Sequence, residues 1–546
     1  MWILVDEVDK AELLNCRQQV QPFCHDLFGL PEDILERGYY NGTLFRFPLR
    51  NTSHDRGHPW IPCCPEKIRT QLFETLGAEA DSVLLFLNHV ERVELYVKSE
   101  ADCHARLVRR ISIGSRSLPV VQQRRKEFQE GWNSGRSTVL CFPVTIQVSR
   151  CVADTDAIQT EEHSWVVSLC RIGKDEQRNV EEIISSLKVL PTGGVALPLY
   201  VSSESGDLKL PLNDQPNGQV FSFLRLPLAD QNPTGLHAHV HAYFVLDHSR
   251  RNLKWPSATH DLSGVTDAAH RWNIFLKRVL LPQAMVALAE FITIAQGIVD
   301  DEKSQTLTSL TFTNYRAYFL SVLMPNPSHV SSQWKVLEEL FYQKISDKEV
   351  FFHSCEQHEH NWVKAFDDKV VFDNTCHDES EVAIRRKILH FRGRLLVVQP
   401  CEILQAIARY NRRAVVTISP SIVCDCLKTG HAQQALSDAE KRKALRYVMN
   451  ATASELTGVP LLPLNNGEWT SFGTGRKVYL PPVNSSEVAI LMSFSELQEH
   501  FIRCDLEPEV LLSLQKIQRR GRLFKIVSVN HQSYLFAIVQ INGSNV

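Results

Sequence analysis

Apolar residues recur along the chain in two rhythms. Gly42–Arg50 interleaves Leu44, Phe45, Phe47 and Leu49 with Arg46 and Arg50, and Val90–Val97 alternates Val93, Leu95 and Val97 with Arg92, Glu94 and Tyr96. Successive side chains on a strand point to opposite faces, so both stretches predict half-buried strands. Pro48 has no amide hydrogen for a ladder, which makes the first an edge strand or ends it there. Val83–Leu87 is a short, fully apolar run. Ala105–Ile113, Ser137–Val148, Ser164–Arg171, Gly194–Val201, Val220–Leu228 and His237–Leu246 read as further strands.

The second rhythm is helical. Ile68, Leu72, Phe73 and Leu76 fall on one face of Glu66–Leu76. Gln122–Trp132 and Asn179–Val189 are also helical, and a long helix is expected over Asp267–Val299, bent at Pro282. Leu310–Leu323, Gln333–Ser346, Cys401–Ala408 and Ser437–Asn450 complete the set. Glu440 stands three residues after Ser437, the spacing of a capping box. Leu461–Phe472 carries Asn-Asn-Gly, the chemistry of a tight hairpin turn. The breaker Met324–His329 places a domain boundary around residues 300–330. Strands mixed with helices in this order predict an α+β chain, with mixed or antiparallel sheets packed on helices.

Composition narrows the class. The 546 residues are 44% hydrophobic and 22% charged, which suits a folded multidomain chain and not a disordered one. Lys and Arg total 59 against 62 Asp and Glu, so no global basic field exists for nucleic acid. The start MWILVDEVDK carries acids where a secretory leader needs bases. Val279–Val299, the best candidate for crossing a membrane, contains Pro282, Gln283, Glu290 and Gln296 and reads as a core helix. The 14 cysteines are irregularly spaced, as expected of reduced thiols in a cytoplasmic protein.

Two clusters have metal-ligand chemistry. His237, His239 and His241 alternate, so a strand would put all three imidazoles on one face. That face is either a zinc platform or a solvated, partner-facing surface. His353, Cys355, His358 and His360, with Cys376 and His377 nearby, match no standard zinc-finger spacing, and the alternative is a polar surface loop. No metal ligand is assigned. Arg250 and Arg251 sit in the turn DHSRRN, where an arginine can reach a phosphate or serve as surface charge. Phosphate loops, dinucleotide fingerprints, zinc-protease and serine-hydrolase signatures are absent, and Gly193–Gly194 is too short to cradle a phosphate.

Several strings, in order, resemble the sacsin-repeat family. They are NGTLFRFPLR at 41–50, LLFLNHVERVELYV at 84–97, LKVLPTGGVALPL at 187–199, GQVFSFLRLPL at 218–228 and TGLHAHVHAYFVLDHSRRNLKW at 234–255. RWN at 271–273, SPSIV at 419–423, ELTGVPLLPLNNGEWTSF at 455–472 and KVYLP at 477–481 follow. The resemblance implies a truncated GHKL-type, heat-shock-ninety-like ATPase segment over residues 1–60, keeping only the closing strand. A mixed-sheet middle domain over 61–300 and a mostly helical region over 301–546 would follow. It implies a cytosolic chaperone or co-chaperone module whose partners are heat-shock chaperones and client proteins, without independent catalysis. The alternative it implies is an ATPase whose divergent nucleotide site is completed elsewhere, with ATP and Mg as ligands. Gly42 and Thr43 would then face the base, Arg46 would lie beside them, and Arg250 or Arg251 would meet the terminal phosphate.

Overall fold

The computed structural model describes residues 65–520, apart from 98–105, 132–134, 152–157, 200–215, 228–233, 255–266, 295–319, 321, 354–361, 376–377, 430–431, 474–477, 482–492 and 494, together with 526–527. The strand expected at Gly42–Arg50, the segment 1–60 and most of the helix expected at Leu310–Leu323 lie outside these residues. The chain divides into two compact units, Met1–Phe341 and Tyr342–Val546. It is mixed α and β, as the patterning predicts.

Among the described residues the first unit opens with helix α1 (Pro65–Ala78) and is built on one eight-stranded sheet. Its strands are β1 (Arg92–Val97), β2 (Arg106–Ile113), β3 (Thr138–Cys151), β4 (Ile158–Arg171), β5 (Thr192–Leu199), β6 (Val220–Ser222), β7 (Leu224–Arg225) and β8 (His239–Ala242). They lie in the order β1-β2-β3-β4-β5-β8-β6-β7. Neighbours are antiparallel except β6 and β8, which run parallel. The spine is the β3–β4 ribbon, paired from Thr138↔Arg171 to Cys151↔Ile158. On one face Phe142, Val144, Ile146 and Val148 join Trp165, Val167 and Leu169 over the buried segment Val83–Phe86. That apolar run forms turns under the sheet and not a strand. Helix α2 (Leu118–Glu130) packs on β3. Its Arg125 is buried and donates to the Leu84 and Val90 carbonyls, tying the helix to the turns.

After β4 comes helix α3 (Glu181–Leu187). The long helix is α4 (Ala268–Phe275) and α5 (Leu281–Ile294), joined by a π-turn over Leu276–Leu280. The Leu281 N–H donates to the Leu276 carbonyl, five residues back. Pro282 offers no N–H, and its ring would strike the Arg278 carbonyl in a regular helix; the wider turn makes that space. The expected bend is therefore a π-turn just ahead of the proline. α5 covers the other face of β3, β4 and β5. Burial on both faces explains why Val166–Cys170 reads as a run and not as alternation. Gly193 and Gly194 belong to this packing: a Cβ would fall 2.3 Å from the His241 and Ser168 carbonyls respectively.

Helix α6 (Lys335–Ile345) contains the division between the units. The second unit pairs β9 (Phe351–Phe352) with β10 (Trp362–Val363) antiparallel. β11 (Val370–Asp373), helix α7 (Glu379–His390) and β12 (Leu395–Val398) form a parallel βαβ unit, and Phe372 also bridges Thr417 in parallel. Helices α8 (Cys401–Asn411), α9 (Pro420–Leu427), α10 (Asp438–Val448) and α11 (Pro508–Arg520) follow. β13 (Leu462–Pro463) and β14 (Trp469–Thr470) make the expected hairpin, with Gly467 at φ 91° in its turn. Leu389, Leu396, Leu427, Leu445, Leu464, Phe472 and Leu514 are among the residues of this unit's core. Among the described residues no helix is long and apolar enough to cross a membrane.

Candidate functional site

The Arg250–Arg251 turn is a built feature. Leu246 and Leu253 pair antiparallel across it, and the Asp247 N–H donates to the Asn252 carbonyl. The Asp247 carboxylate organises the tip. It accepts from the Ser249 hydroxyl at 2.7 Å, the Arg251 N–H at 3.1 Å and the Asn252 side-chain amide at 3.1 Å. These donors, the Ser249 hydroxyl foremost, hold its carboxyl down to about 2. Arg250 is exposed at φ 57°, a left-handed position that few non-glycine residues adopt, and Arg251 is exposed beside it.

The base of the turn is clamped by the start of α4. Asn273 is wholly buried. Its Oδ1 accepts the Val245 N–H at 2.9 Å, and its Nδ2 donates to the Val245 and Lys254 carbonyls at 2.8 and 3.0 Å. Trp272 Nε1 donates to the Tyr243 carbonyl at 2.7 Å. Asp267 caps α4 through the Ala269 N–H at 2.7 Å and pairs with Lys254 at 2.8 Å. The string RWN thus supplies the buttress of the arginine turn. Reading it as a sequence gave no such role to Asn273, Trp272 or Asp247. The available signal was an Asp helix cap a few residues before an adjacent Trp-Asn pair.

Of the five candidate residues, the structure brings together Arg250 and Arg251 only. Gly42, Thr43 and Arg46 lie outside the described residues.

The histidine strand departs from both of its expected readings. Only His239–Ala242 pairs as strand, and His237 precedes it. His239 and His241 do share a face, but that face is core: they are 7% and 4% exposed. His239 lies against Trp165 and Phe221, with ring centroids 4.9 and 5.3 Å away. His241 stacks on Phe86 at 4.9 Å. Burial pushes both imidazoles down, His239 to about 3 with help from Arg225, and His241 to about 4. The face is not solvated because the segment Val83–Phe86 covers it. Among the described residues no group of three or more His, Cys, Asp or Glu side chains is placed to hold a metal. Of the other cluster, His353 is buried, while Cys355, His358, His360, Cys376 and His377 lie outside the described residues.

Lys277 is another perturbed group. It sits in the π-turn, donates to the Gln333 carbonyl and lies 4.9 Å from the centroid of the Trp334 ring. Burial alone drives its ammonium down to about 7.

Residues 5–109 match the sequence profile of the Sacsin domain. Human sacsin is 28% identical over 543 residues, which covers 95% of this chain and 11% of that protein. The chain therefore spans about a ninth of the length of the relative it matches. The similarity runs through both units, and the chain is sacsin-like along nearly its whole length.

Proposed function

We propose that the chain is a chaperone or co-chaperone interaction module of cytosolic protein folding and quality control, with heat-shock chaperones and client proteins as partners and no independent catalysis. The observation that carries this reading is similarity to sacsin over 95% of the chain. The test is aggregation of a chemically denatured reporter protein. Equimolar chain is expected to suppress light scattering. Scattering unchanged by the chain would remove the reading.

A second reading is favoured by the Arg250 turn. An exposed arginine on a loop whose backbone is buttressed is suited to meet a phosphate brought by another segment or partner. In that reading the chain is a GHKL-type ATPase whose nucleotide site is divergent or partner-completed, with Gly42, Thr43 and Arg46 at the base. Calorimetric titration with Mg-ATP separates the two. Saturable binding that is lost in Thr43→Ala and weakened in Arg250→Ala supports the ATPase; absence of heat supports the passive module.

A further inference from the structure

β6 and β7 form a hairpin of minimal length. Phe221 pairs with Arg225 and Ser222 with Leu224, leaving Phe223 alone at the tip with φ 68°. A bulky residue in the left-handed region is strained and persists only where its surroundings hold it. Two side chains of β8 do the holding. The Gln219 N–H donates to His239 Nδ1 at 3.2 Å, and the Phe223 N–H donates to His241 Nδ1 at 3.3 Å. Besides the backbone bond from the Val240 N–H to the Gln219 carbonyl, each end of β6 thus meets a ring nitrogen, which accepts only in the tautomer whose proton is on Nε2. His241 Nδ1 also stands 3.3 Å from the Phe221 carbonyl.

We propose that His239 and His241 form a proton-operated latch: protonation at Nδ1 releases the β6–β7 hairpin from β8 and uncovers the aromatic surface of Phe221 and Phe223. A neutral imidazole accepts at one nitrogen, whereas an imidazolium donates at both. Protonated His239 would turn an N–H toward the Gln219 N–H, two donors face to face. Protonated His241 would donate Nδ1–H to the Phe221 carbonyl in place of accepting the Phe223 N–H, removing a contact that restrains the strained tip.

The charged surroundings favour release. Arg225 on β7 acts against a charge on His239. Glu79 and Asp81 stand on the segment leading into Val83–Phe86, and Glu79 feels Arg225. β5 and β6 carry no charged residue, the neighbour on β4 is Trp165, and β8 itself continues into Tyr243. The rings of Phe86 and Trp165 attract a cation, but burial outweighs them, since both imidazoles titrate at about 3 to 4 in place. A released imidazole returns to about 6.5. Because the latched pKa lies below the released one, latching is complete above about pH 6.5 and weakens as pH falls. Each imidazole contributes up to about tenfold per pH unit, about a hundredfold for both, down to about pH 4.

Hydrogen exchange on the full chain from about pH 7.5 to about pH 4.5, corrected for intrinsic rates, tests this. Protection over residues 217–226 is expected to fall by about ten- to a hundredfold per unit below about pH 6 while β3, β4 and α10 stay protected. Glutamine keeps an acceptor that does not titrate, so His239→Gln with His241→Gln should flatten the slope, and His239→Gln alone should leave about tenfold per unit. A flat wild-type profile, loss in step with β3, β4 and α10, or a wild-type slope in the double variant would overturn the latch. If the variants fail to fold, imidazole titrations of the wild type decide: both rings titrating near 6.5 with 217–226 still protected would equally overturn it.

Discussion

The Asn273 amide closes three hydrogen bonds to the backbone on either side of the Arg250 turn, from a position with no solvent exposure. Asn273→Ala strands the Val245 N–H and removes a donor from the Lys254 carbonyl, while the Val245 carbonyl keeps the Lys254 N–H. Each buried group left unmet costs about 1–3 kcal/mol, so a loss of about 2–4 kcal/mol is expected in urea unfolding. Asn273→Asp keeps the acceptor but turns a carboxylate toward two carbonyl oxygens. It should be at least as damaging at neutral pH and should recover as acid protonates the new side chain; a wild-type midpoint for either variant would refute the clamp. Lys277 gives a prediction of opposite sign with pH. Its folded value, about 7, lies below the ordinary lysine value of about 10.4, so the unfolded chain binds more protons between these limits. Stability contributed by this site is therefore lowest below about pH 7 and rises toward about pH 10. Comparing urea midpoints of wild type and Lys277→Met near pH 7 and pH 9 should show the wild type gaining on the variant, by up to about 1.4 kcal/mol per unit. Parallel pH profiles would show that the ammonium is not desolvated as placed.

At the scale of elements, the βαβ unit of the second half turns on one ion pair. Asp373 ends β11 wholly buried, and Arg385 of α7 reaches it at 2.7 Å while donating to the Thr375 hydroxyl at 2.8 Å and lying over Tyr447. Removing one partner leaves a buried charge, so Arg385→Met should cost about 3–5 kcal/mol, and Asp373→Asn in the same chain should restore much of it. Additive losses in that cycle would contradict the pairing. The helix ends were more legible in advance. Ser437 accepts the Glu440 N–H while Glu440 accepts the Ser437 N–H, the reciprocal arrangement that the spacing alone predicts. The Asp373–Arg385 pair had no such signal, because its partners meet through a crossover and not through local spacing.

For the whole molecule, two of the apolar clusters among the described residues bear on what is expected. One gathers residues between Ala80 and Phe221, the other residues between Val371 and Ile517, and they share no member. Separate cores allow separate cooperative transitions. Calorimetry of the full chain should resolve more than one transition, and residues 342–546 expressed alone should reproduce one of them. A single transition for the chain, with the isolated piece unfolded, would show that the units depend on each other for stability.

Local pattern was enough to determine the α+β class, most strands of the sheet, the capped α10 and the Asn-Asn-Gly hairpin, because each rests on residues close in sequence; the resemblance to sacsin rests on the order of strings along the whole chain. Alternation in LHAHVHA also placed two histidines on one face correctly. It could not say which side of the sheet would be covered, so buried imidazoles looked like ligands or a wet surface. The same limit hid the break at Phe223, where a strand turns back on itself, and the π-turn ahead of Pro282. Tertiary structure decided these, along with the glycines pressed between three strands and the Asn273 clamp. Apart from the π-turn, whose cause is the neighbouring Pro282, the deciding partner lies far along the chain, and its desolvation or hydrogen bond outweighs the preference of the residue itself.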